Sequence, residues 1–321
     1  MIRILANDGI HPDGKTLLEE AAYQVDIERV EQKNLVEILP SYDVVIVRSA
    51  TKIRKDLIDK CSKLKIIARA GVGFDNIDVD YARSKGITVI QTPEASSQSV
   101  AELVFAHMFS LTRFLHLANR EMPIRGDKEF GALKKKYSVG TQLSGKTLGI
   151  IGFGRVGQQV ARIGIAMGMK ILAVDLIVNQ ADIAISVFKS DEIRLAVHLE
   201  TVEFEHAIKN SDFLTLHVPF NGGKPILGKE EMAMMKKGAI LINTSRGGTV
   251  DEDAMLEALE SGQLRAAGLD VFNDEPHPKK EILNHSKISL TPHTGAATLE
   301  AQSNIGLALA DQIIAYFGDD K

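Results

Sequence analysis

Residues 147–175, TLGIIGFGRVGQQVARIGIAMGMKILAVD, decide how this chain is read. Leu148 to Ile151 is a short apolar run of the kind that forms a buried parallel strand. It enters Gly152-Phe153-Gly154-Arg155-Val156-Gly157, a G-x-G-x-x-G turn. Apolar residues then recur at helical spacing through Val156, Val160, Ile163, Ile165 and Met167, and Gly168 closes the run. A second strand, Ile171 to Val174, ends on Asp175. In this frame Gly152 permits the tight turn, Gly154 lets backbone approach a pyrophosphate, and Gly157 lets the helix lie against the strand. The helix N-terminus offers free N–H groups and the positive end of its dipole to phosphates. Asp175 stands where a carboxylate accepts hydrogen bonds from an adenosine ribose. Leu176 and Ile177 follow it, with no arginine, and a carboxylate repels a 2′-phosphate. The stretch reads as a dinucleotide site that prefers NAD to NADP.

A chain of 321 residues is long enough for two domains, each with its own core. A net charge of −4 gives no reason to expect nucleic acid or an acidic membrane surface as a partner. The single cysteine, Cys61, can form no internal disulfide, which suits a reducing compartment. Met1-Ile2-Arg3 leads directly into a strand without a secretory signal. The most apolar long segment, Ser99 to Asn119, carries Glu102, His107 and Arg113 and is not read as a membrane span. A cytoplasmic protein is expected.

From residue 1 to about 95, strands alternate with helices: Ile2–Ala6, Tyr42–Arg48, Leu64–Ala68 and Thr88–Ile90 against Lys15–Ala22, Arg54–Ser62 and Val79–Ser84. Such alternation implies a doubly wound parallel sheet, with ligands gathering beyond the carboxyl ends of its strands. Two strand ends stand out, Arg48-Ser49-Ala50-Thr51 and Arg69-Ala70-Gly71-Val72-Gly73. The second is a Gly-rich turn through which backbone amides of Gly71 to Gly73 can approach a carboxylate. The longest helix follows Thr92-Pro93, with Ser99 and Glu102 spaced as a capping box. It is apolar on several faces from Val100 to Leu117, as a helix buried from more than one side is. Pro123 to Tyr137, with Lys134-Lys135-Lys136, breaks that pattern and reads as a surface excursion.

Beyond Asp175, strands end in His217-Val218-Pro219, in Thr244-Ser245-Arg246 and in Asp270, the last leading to Glu275. A final strand runs into Pro292-His293-Thr294-Gly295-Ala296, and an amphipathic helix follows. The chain thus divides into a discontinuous substrate domain, residues 1–96 with 296–321, and a nucleotide domain, 97–295, inserted into it, with the site expected in the cleft between them. Arg246, Glu275 and His293 leave the same sheet edge on different loops and can converge. Histidine exchanges a proton near neutral pH. A carboxylate behind it fixes the tautomer and raises its pKa, and a guanidinium grips a carboxylate with two parallel hydrogen bonds. Those are the parts that hydride transfer to a 2-oxo acid requires. His217, before Pro219, is read as shaping the cofactor pocket.

In this order and spacing, IIGFGRVG, INTSRGGTVDE, GLDVFNDEP and TPHTGAAT resemble the D-2-hydroxyacid dehydrogenases over nearly the whole chain. VRSATK and RAGVGFDNID are most similar to the phosphoglycerate dehydrogenase branch, which serves serine biosynthesis. The resemblance implies two α/β domains, a Rossmann-type NAD domain inserted into a flavodoxin-like substrate domain. It implies that Arg246 binds substrate, His293 is the acid/base and Glu275 its partner. It further implies NAD contacts at Val72, Arg155, Val156, Asp175, Val218, Thr244, Ser245, Asp270 and the run His293 to Ala296. A homodimer built through the nucleotide domains and the long helix is implied as well. For a phosphorylated substrate, Arg48 and Arg69 are the cations at hand.

The sequence departs from the family in two places. Residues 182–200 add a segment that reads as a β-hairpin, with alternation in Ile183, Ile185 and Val187, a turn at Lys189-Ser190-Asp191-Glu192, then Ile193, Leu195, Val197 and Leu199. No C-terminal serine-sensing domain is expected, since the chain ends near residue 321. Two alternatives stay open at this point: a glyoxylate or hydroxypyruvate reductase of the same family, and an NAD-dependent binding or corepressor protein on the same fold.

Overall fold

The computed structural model describes residues 1–186, 194–220 and 222–318. The chain folds as two compact units, one of Met1–Ser97 with the segment from Ala296 onward, the other Gln98–Gly295, so the second lies within the sequence of the first.

The first unit holds five parallel strands: β1 (Arg3–Ala6), β2 (Gln24–Asp26), β3 (Val44–Val47), β4 (Ile66–Arg69) and β5 (Thr88–Gln91). Their order is β2-β1-β3-β4-β5, that of flavodoxin-like sheets. Val44 to Val47 are all buried, as expected of a central strand covered on both faces. β2, too short to stand out in the sequence, pairs with β1 as the edge strand. The Leu299–Gly318 helix returns to this unit, where Ile305, Leu309 and Ile313 pack with Ile4, Ile46 and Ile66.

The second unit carries six parallel strands: β6 (Thr147–Ile151), β7 (Lys170–Val174), β10 (Phe213–Leu216), β11 (Ala239–Asn243), β12 (Leu264–Leu269) and β13 (Ile288–Leu290). Their order is β13-β12-β11-β10-β6-β7. The chain leaves β6 for β7 on one side and comes back to β10 on the other. The topological switch point therefore lies between β6 and β10, at the glycine turn. The intervening strands, β8 (Gln180–Ser186) and β9 (Arg194–Glu200), form a separate antiparallel pair in which Ile183 faces Val197 and Ile185 faces Leu195. The hairpin reading holds for these strands, and its turn at Lys189 to Glu192, with Val187 and Ile193, lies outside the described residues. Ile183 is buried in the same core as Val160 and Ala161 of the Arg155–Ala166 helix, which fixes the hairpin to that helix.

Two local expectations are corrected. The Ser97–Thr112 helix starts before Ser99, and Ser99 does not cap it: its hydroxyl donates to the Gly295 carbonyl at 2.7 Å, while Glu102 accepts from Gln98. The segment from Pro123 to Tyr137 is helical, part of Leu115–Tyr137, with Glu129 alone outside helical geometry. Lys136 closes an ion pair with Glu121 there at 2.6 Å, so the lysine run belongs to a charged helix face. Phe114, at φ +56°, breaks the chain between the two helices. No single helix among the described residues is long and apolar enough to cross a membrane. The Ser97–Thr112 helix, apolar as it is, has Val104, Phe105, Met108 and Leu111 buried in the second unit's core.

Replacing Ile183 by Ala should cost about 2 kcal/mol or more, because the hairpin loses its buried anchor. The same change at Leu195, 57 % exposed, should cost far less. Paired thermal denaturation of the two variants measures the difference, and equal losses would mean that Ile183 is not the anchor.

Candidate active site

The glycine turn is built for a ligand's phosphates. Gly152 has φ +96°, and a Cβ on Gly157 would collide with the Gly152 carbonyl oxygen, so neither position accepts a side chain. Gly154 differs: a Cβ there would meet nothing within 4 Å. The space above it is open, as close approach of a pyrophosphate requires. Gly154 is also the N-cap of the Arg155–Ala166 helix, and it provides no side-chain cap there. Asp175 is already anchored, its Oδ2 accepting the Phe153 amide at 2.6 Å and its Oδ1 those of Ile177 at 2.8 Å and Val178 at 3.0 Å. Burial pushes its carboxyl up, but these backbone donors outweigh it and hold the pKa below the usual value. The Thr244 hydroxyl, after β11, is buried with no partner among the described residues. Residues around this turn thus fit a dinucleotide: amides for the pyrophosphate, a charged carboxylate for the ribose.

At the far end of the same sheet, His293 Nδ1 lies 2.7 Å from Glu275 Oε2. Glu275 Oε1 accepts the Phe272 amide at 2.9 Å, which orients the carboxylate. Burial pushes Glu275 up, but the hydrogen bonds from His293 and Phe272 and the charges of His293 and Arg246 leave it net lowered. The hydrogen bond to Glu275 raises the His293 pKa; burial opposes it, the Glu275 and Asp270 charges add to it, and Arg246 subtracts. Nδ1–H donates to the carboxylate, so in the neutral ring Nε2 is the bare, basic nitrogen. Arg246, Glu275 and His293 thus come within electrostatic range of one another in the second unit.

Asn243, the last residue of β11, holds the loop that carries Arg246. Its Oδ1 accepts the Ser245 amide and hydroxyl, and its Nδ2 donates to the Arg246 carbonyl at 3.1 Å and Thr249 Oγ1 at 3.0 Å. His217 and Val218 follow β10 at the switch point, where a Cβ on Gly152 would stand 2.5 Å from the His217 carbonyl. Burial drives the His217 pKa down, so the ring is neutral, with Nε2 3.0 Å from Thr215 Oγ1. A pocket of ≈ 370 Å³ opens beside His293 and Glu275, walled by Phe272, Pro276, Leu283 and Leu290. It is apolar apart from the two catalytic candidates and Thr291.

In the first unit, Arg48 and Arg69 stand at the carboxyl ends of β3 and β4, whose register pairs Val47 with Arg69. Asp8 shapes the Arg48 loop, accepting the Arg48 amide at 2.7 Å and the Thr51 hydroxyl at 2.7 Å. Asn76 grips the same loop from below, donating to the Arg48 carbonyl at 2.7 Å. Sequence reading passed over Asp8, Asn76 and Asn243, whose only signal was a short amide or carboxylate beside a strand-end loop. Arg69 Nη1 donates to the Ala70 carbonyl at 2.6 Å beside Gly71 to Gly73.

Comparison with known proteins places this geometry. Residues 105–295 match the family described as D-isomer specific 2-hydroxyacid dehydrogenase, NAD binding domain. The chain is 41 % identical to the hydroxypyruvate reductase of Thermotoga maritima, over 98 % of both chains. It is also 41 % identical to D-3-phosphoglycerate dehydrogenase of Methanocaldococcus jannaschii, over 98 % of this chain but only 57 % of that one. Among solved structures, a glyoxylate reductase from Paecilomyes thermophila superposes with a TM-score of 0.82 at 26 % identity, covering 100 % of this chain and 96 % of its own.

Two outcomes follow from the site's electrostatics. Asp175→Ala should weaken discrimination against NADP by removing both the ribose acceptor and the repelling charge; direct titration of NAD and NADP measures it, and an unchanged affinity ratio would exclude that role. Glu275→Gln should lower the His293 pKa, since the charge that holds the proton is gone. Histidine titration by NMR reads the shift, and an unmoved or raised value would exclude the carboxylate as its cause.

Proposed function

The chain belongs to the D-isomer specific 2-hydroxyacid dehydrogenases, NAD-dependent as a family, and on that premise we propose that it oxidises 3-phosphoglycerate at C2 to 3-phosphohydroxypyruvate. The observation that supports the substrate is the pair Arg48 and Arg69 on neighbouring strand ends, two cations of the kind that bind a phosphate. Phosphoglycerate dehydrogenases among the relatives support it. Gly152 to Gly157 and Asp175 would hold NAD, which would supply the hydride acceptor.

His293 does the proton work. With Nδ1–H on Glu275, its bare Nε2 takes the substrate's hydroxyl proton while the C2 hydride departs, and the imidazolium returns that proton in the reverse direction. Glu275 stabilises the imidazolium. Arg246 grips the substrate carboxylate, and amides of Gly71 to Gly73, with Ser49, are assigned to substrate as well. Val72, Arg155, Val156, His217, Val218, Pro219, Thr244, Ser245, Asp270, Gly295 and Ala296 are assigned to the cofactor. The acid/base role fixes the sign of the pH dependence. Hydroxy-acid oxidation needs neutral His293 and rises as pH climbs through its raised pKa; 2-oxo-acid reduction needs the imidazolium and falls through the same pKa.

A second reading has its own support. The Thermotoga hydroxypyruvate reductase matches this chain across both lengths. We also infer a homodimer, because the Leu115–Tyr137 helix exposes Leu115, Ile124 and Phe130 at 54 %, 76 % and 60 %; a cytoplasmic location accords with the free Cys61.

His293→Ala should lower turnover at least about a hundredfold while NAD binding persists; activity within a few-fold of wild type would move the acid/base elsewhere. Arg48→Ala and Arg69→Ala should reduce kcat/KM on 3-phosphoglycerate selectively, by on the order of 10²-fold if the phosphate is desolvated. Equal loss on an unphosphorylated 2-hydroxy acid, or a wild type indifferent to the phosphate, would favour the hydroxypyruvate reductase.

A further inference from the structure

His107 lies in the middle of the Ser97–Thr112 helix, 2 % exposed, and takes no part in the chemistry above. The sheet makes room for it: a Cβ on Gly268 of β12 would stand 2.8 Å from His107 Cβ. Both ring nitrogens are engaged, Nδ1 at 2.9 Å from Ser289 Oγ and Nε2 at 3.0 Å from Thr291 Oγ1. Thr291 Oγ1 in turn lies 2.6 Å from Asp270 Oδ1.

Counting protons gives this chain a direction. Asp270 as a carboxylate only accepts, so the single Thr291 hydroxyl proton goes to it. Thr291 oxygen must then accept from His107, which places the ring proton on Nε2. Nδ1 is left as an acceptor, and the Ser289 hydroxyl, whose other partner Ser110 is 3.5 Å away, donates to it. The sequence of donations is Ser289 to His107 to Thr291 to Asp270. Its terminus is the carboxylate that holds the loop beyond β13: Oδ1 accepts the Thr294 amide and Oδ2 the Gly295 amide, both at 2.8 Å. Those amides directly follow His293, whose own backbone sits at φ +55°, a conformation a non-glycine residue keeps only when its surroundings hold it.

We propose that His107 is a positioning residue for the His293 reaction, fixed in the Nε2–H tautomer so that Thr291 delivers its proton to Asp270 and Asp270 clamps the loop carrying His293. The proposal rests on the acid/base role given to His293 above. The ring suits the task because it stays neutral. Burial drives its pKa down to about 4; the Asp270 charge opposes this weakly and His116, the other titratable group facing it, adds to it. A protonated ring would have two donors and could not accept from Ser289.

Two measurements test it, and only the second depends on turnover. In ¹⁵N-labelled wild-type protein, the His107 ring, assigned by its loss in His107→Gln, should show a protonated Nε2 and a bare Nδ1 through neutral pH. An Nδ1–H tautomer or an imidazolium would overturn the proposal. In kinetics, His107→Phe and Thr291→Val should each lower kcat about fivefold or more, the worth of a buried hydrogen bond. The His293 limb of the pH profile should also move to lower pH. That limb senses Glu275, Asp270 and Arg246, and loosening Asp270 weakens the pull of one of the two charges that raise it. His107→Gln, which keeps an N–H donor toward Thr291, should recover most of the rate and the limb. Phe and Gln variants equally impaired with the limb unmoved would reduce His107 to packing. Should wild type turn over neither 2-hydroxy nor 2-oxo acid, the function reading fails and the positioning role falls with it, while the tautomer measurement still decides the direction of the hydrogen bonds from Ser289 to Asp270.

Discussion

The Asp270 carboxylate, 1 % exposed at the end of β12, is the constraint on which the rest of the site depends. An ionised carboxylate so deep in a protein is costly unless its lone pairs are filled by donors. Here the Thr291 hydroxyl and the amides of Thr294 and Gly295 fill them. The same bonds determine where the chain goes after β13, because no regular structure holds residues 291–295. His293 is thereby carried in a left-handed backbone conformation that its own side chain disfavours. Strain at one residue and satisfaction of a buried charge are two sides of one arrangement.

Three histidines of this unit show how environment alone assigns roles to one side chain. His293 has a carboxylate on Nδ1 and a raised pKa, which suits a proton carrier. His107 and His217 have hydroxyl partners on their rings and are pushed down by burial, so both stay neutral. A hydroxyl can reverse its donor and acceptor roles to suit a neutral ring; a carboxylate cannot, and therefore favours the cation.

Much of this was legible in residue order, for a physical reason. Central parallel strands such as Val44–Val47 and Ala239–Asn243 are buried on both faces and read as unbroken apolar runs. The glycine turn and Asp175 read clearly because a backbone that must approach another backbone leaves few residue choices. Arg246, Glu275 and His293 read because strand ends on one sheet edge converge. What did not read was set by contacts distant in sequence. Ser99 has the spacing of a cap, but Gly295 competes for its hydroxyl across the unit. Pro123 signals a break, yet the helix continues around it with ion pairs such as Lys136–Glu121 along its face. His107 looks like one more residue of an apolar helix, and only the position of Thr291, from the far end of the chain, gives it a second meaning.

Asp175 carries the same logic to the opposite end of the sheet. A carboxylate has about four lone-pair sites, and the Phe153, Ile177 and Val178 amides occupy three of them. Those donors bind the glycine turn to the exit of β7 and keep the group ionised against the burial that opposes it. A full negative charge remains at the surface, beside Leu176 and Ile177, which are 100 % and 88 % exposed. A ribose hydroxyl can donate to such a carboxylate, and a 2′-phosphate is repelled by its charge. The negative charge that faces a 2′-phosphate is therefore held in place by the bonds that hold the turn together, before any nucleotide arrives.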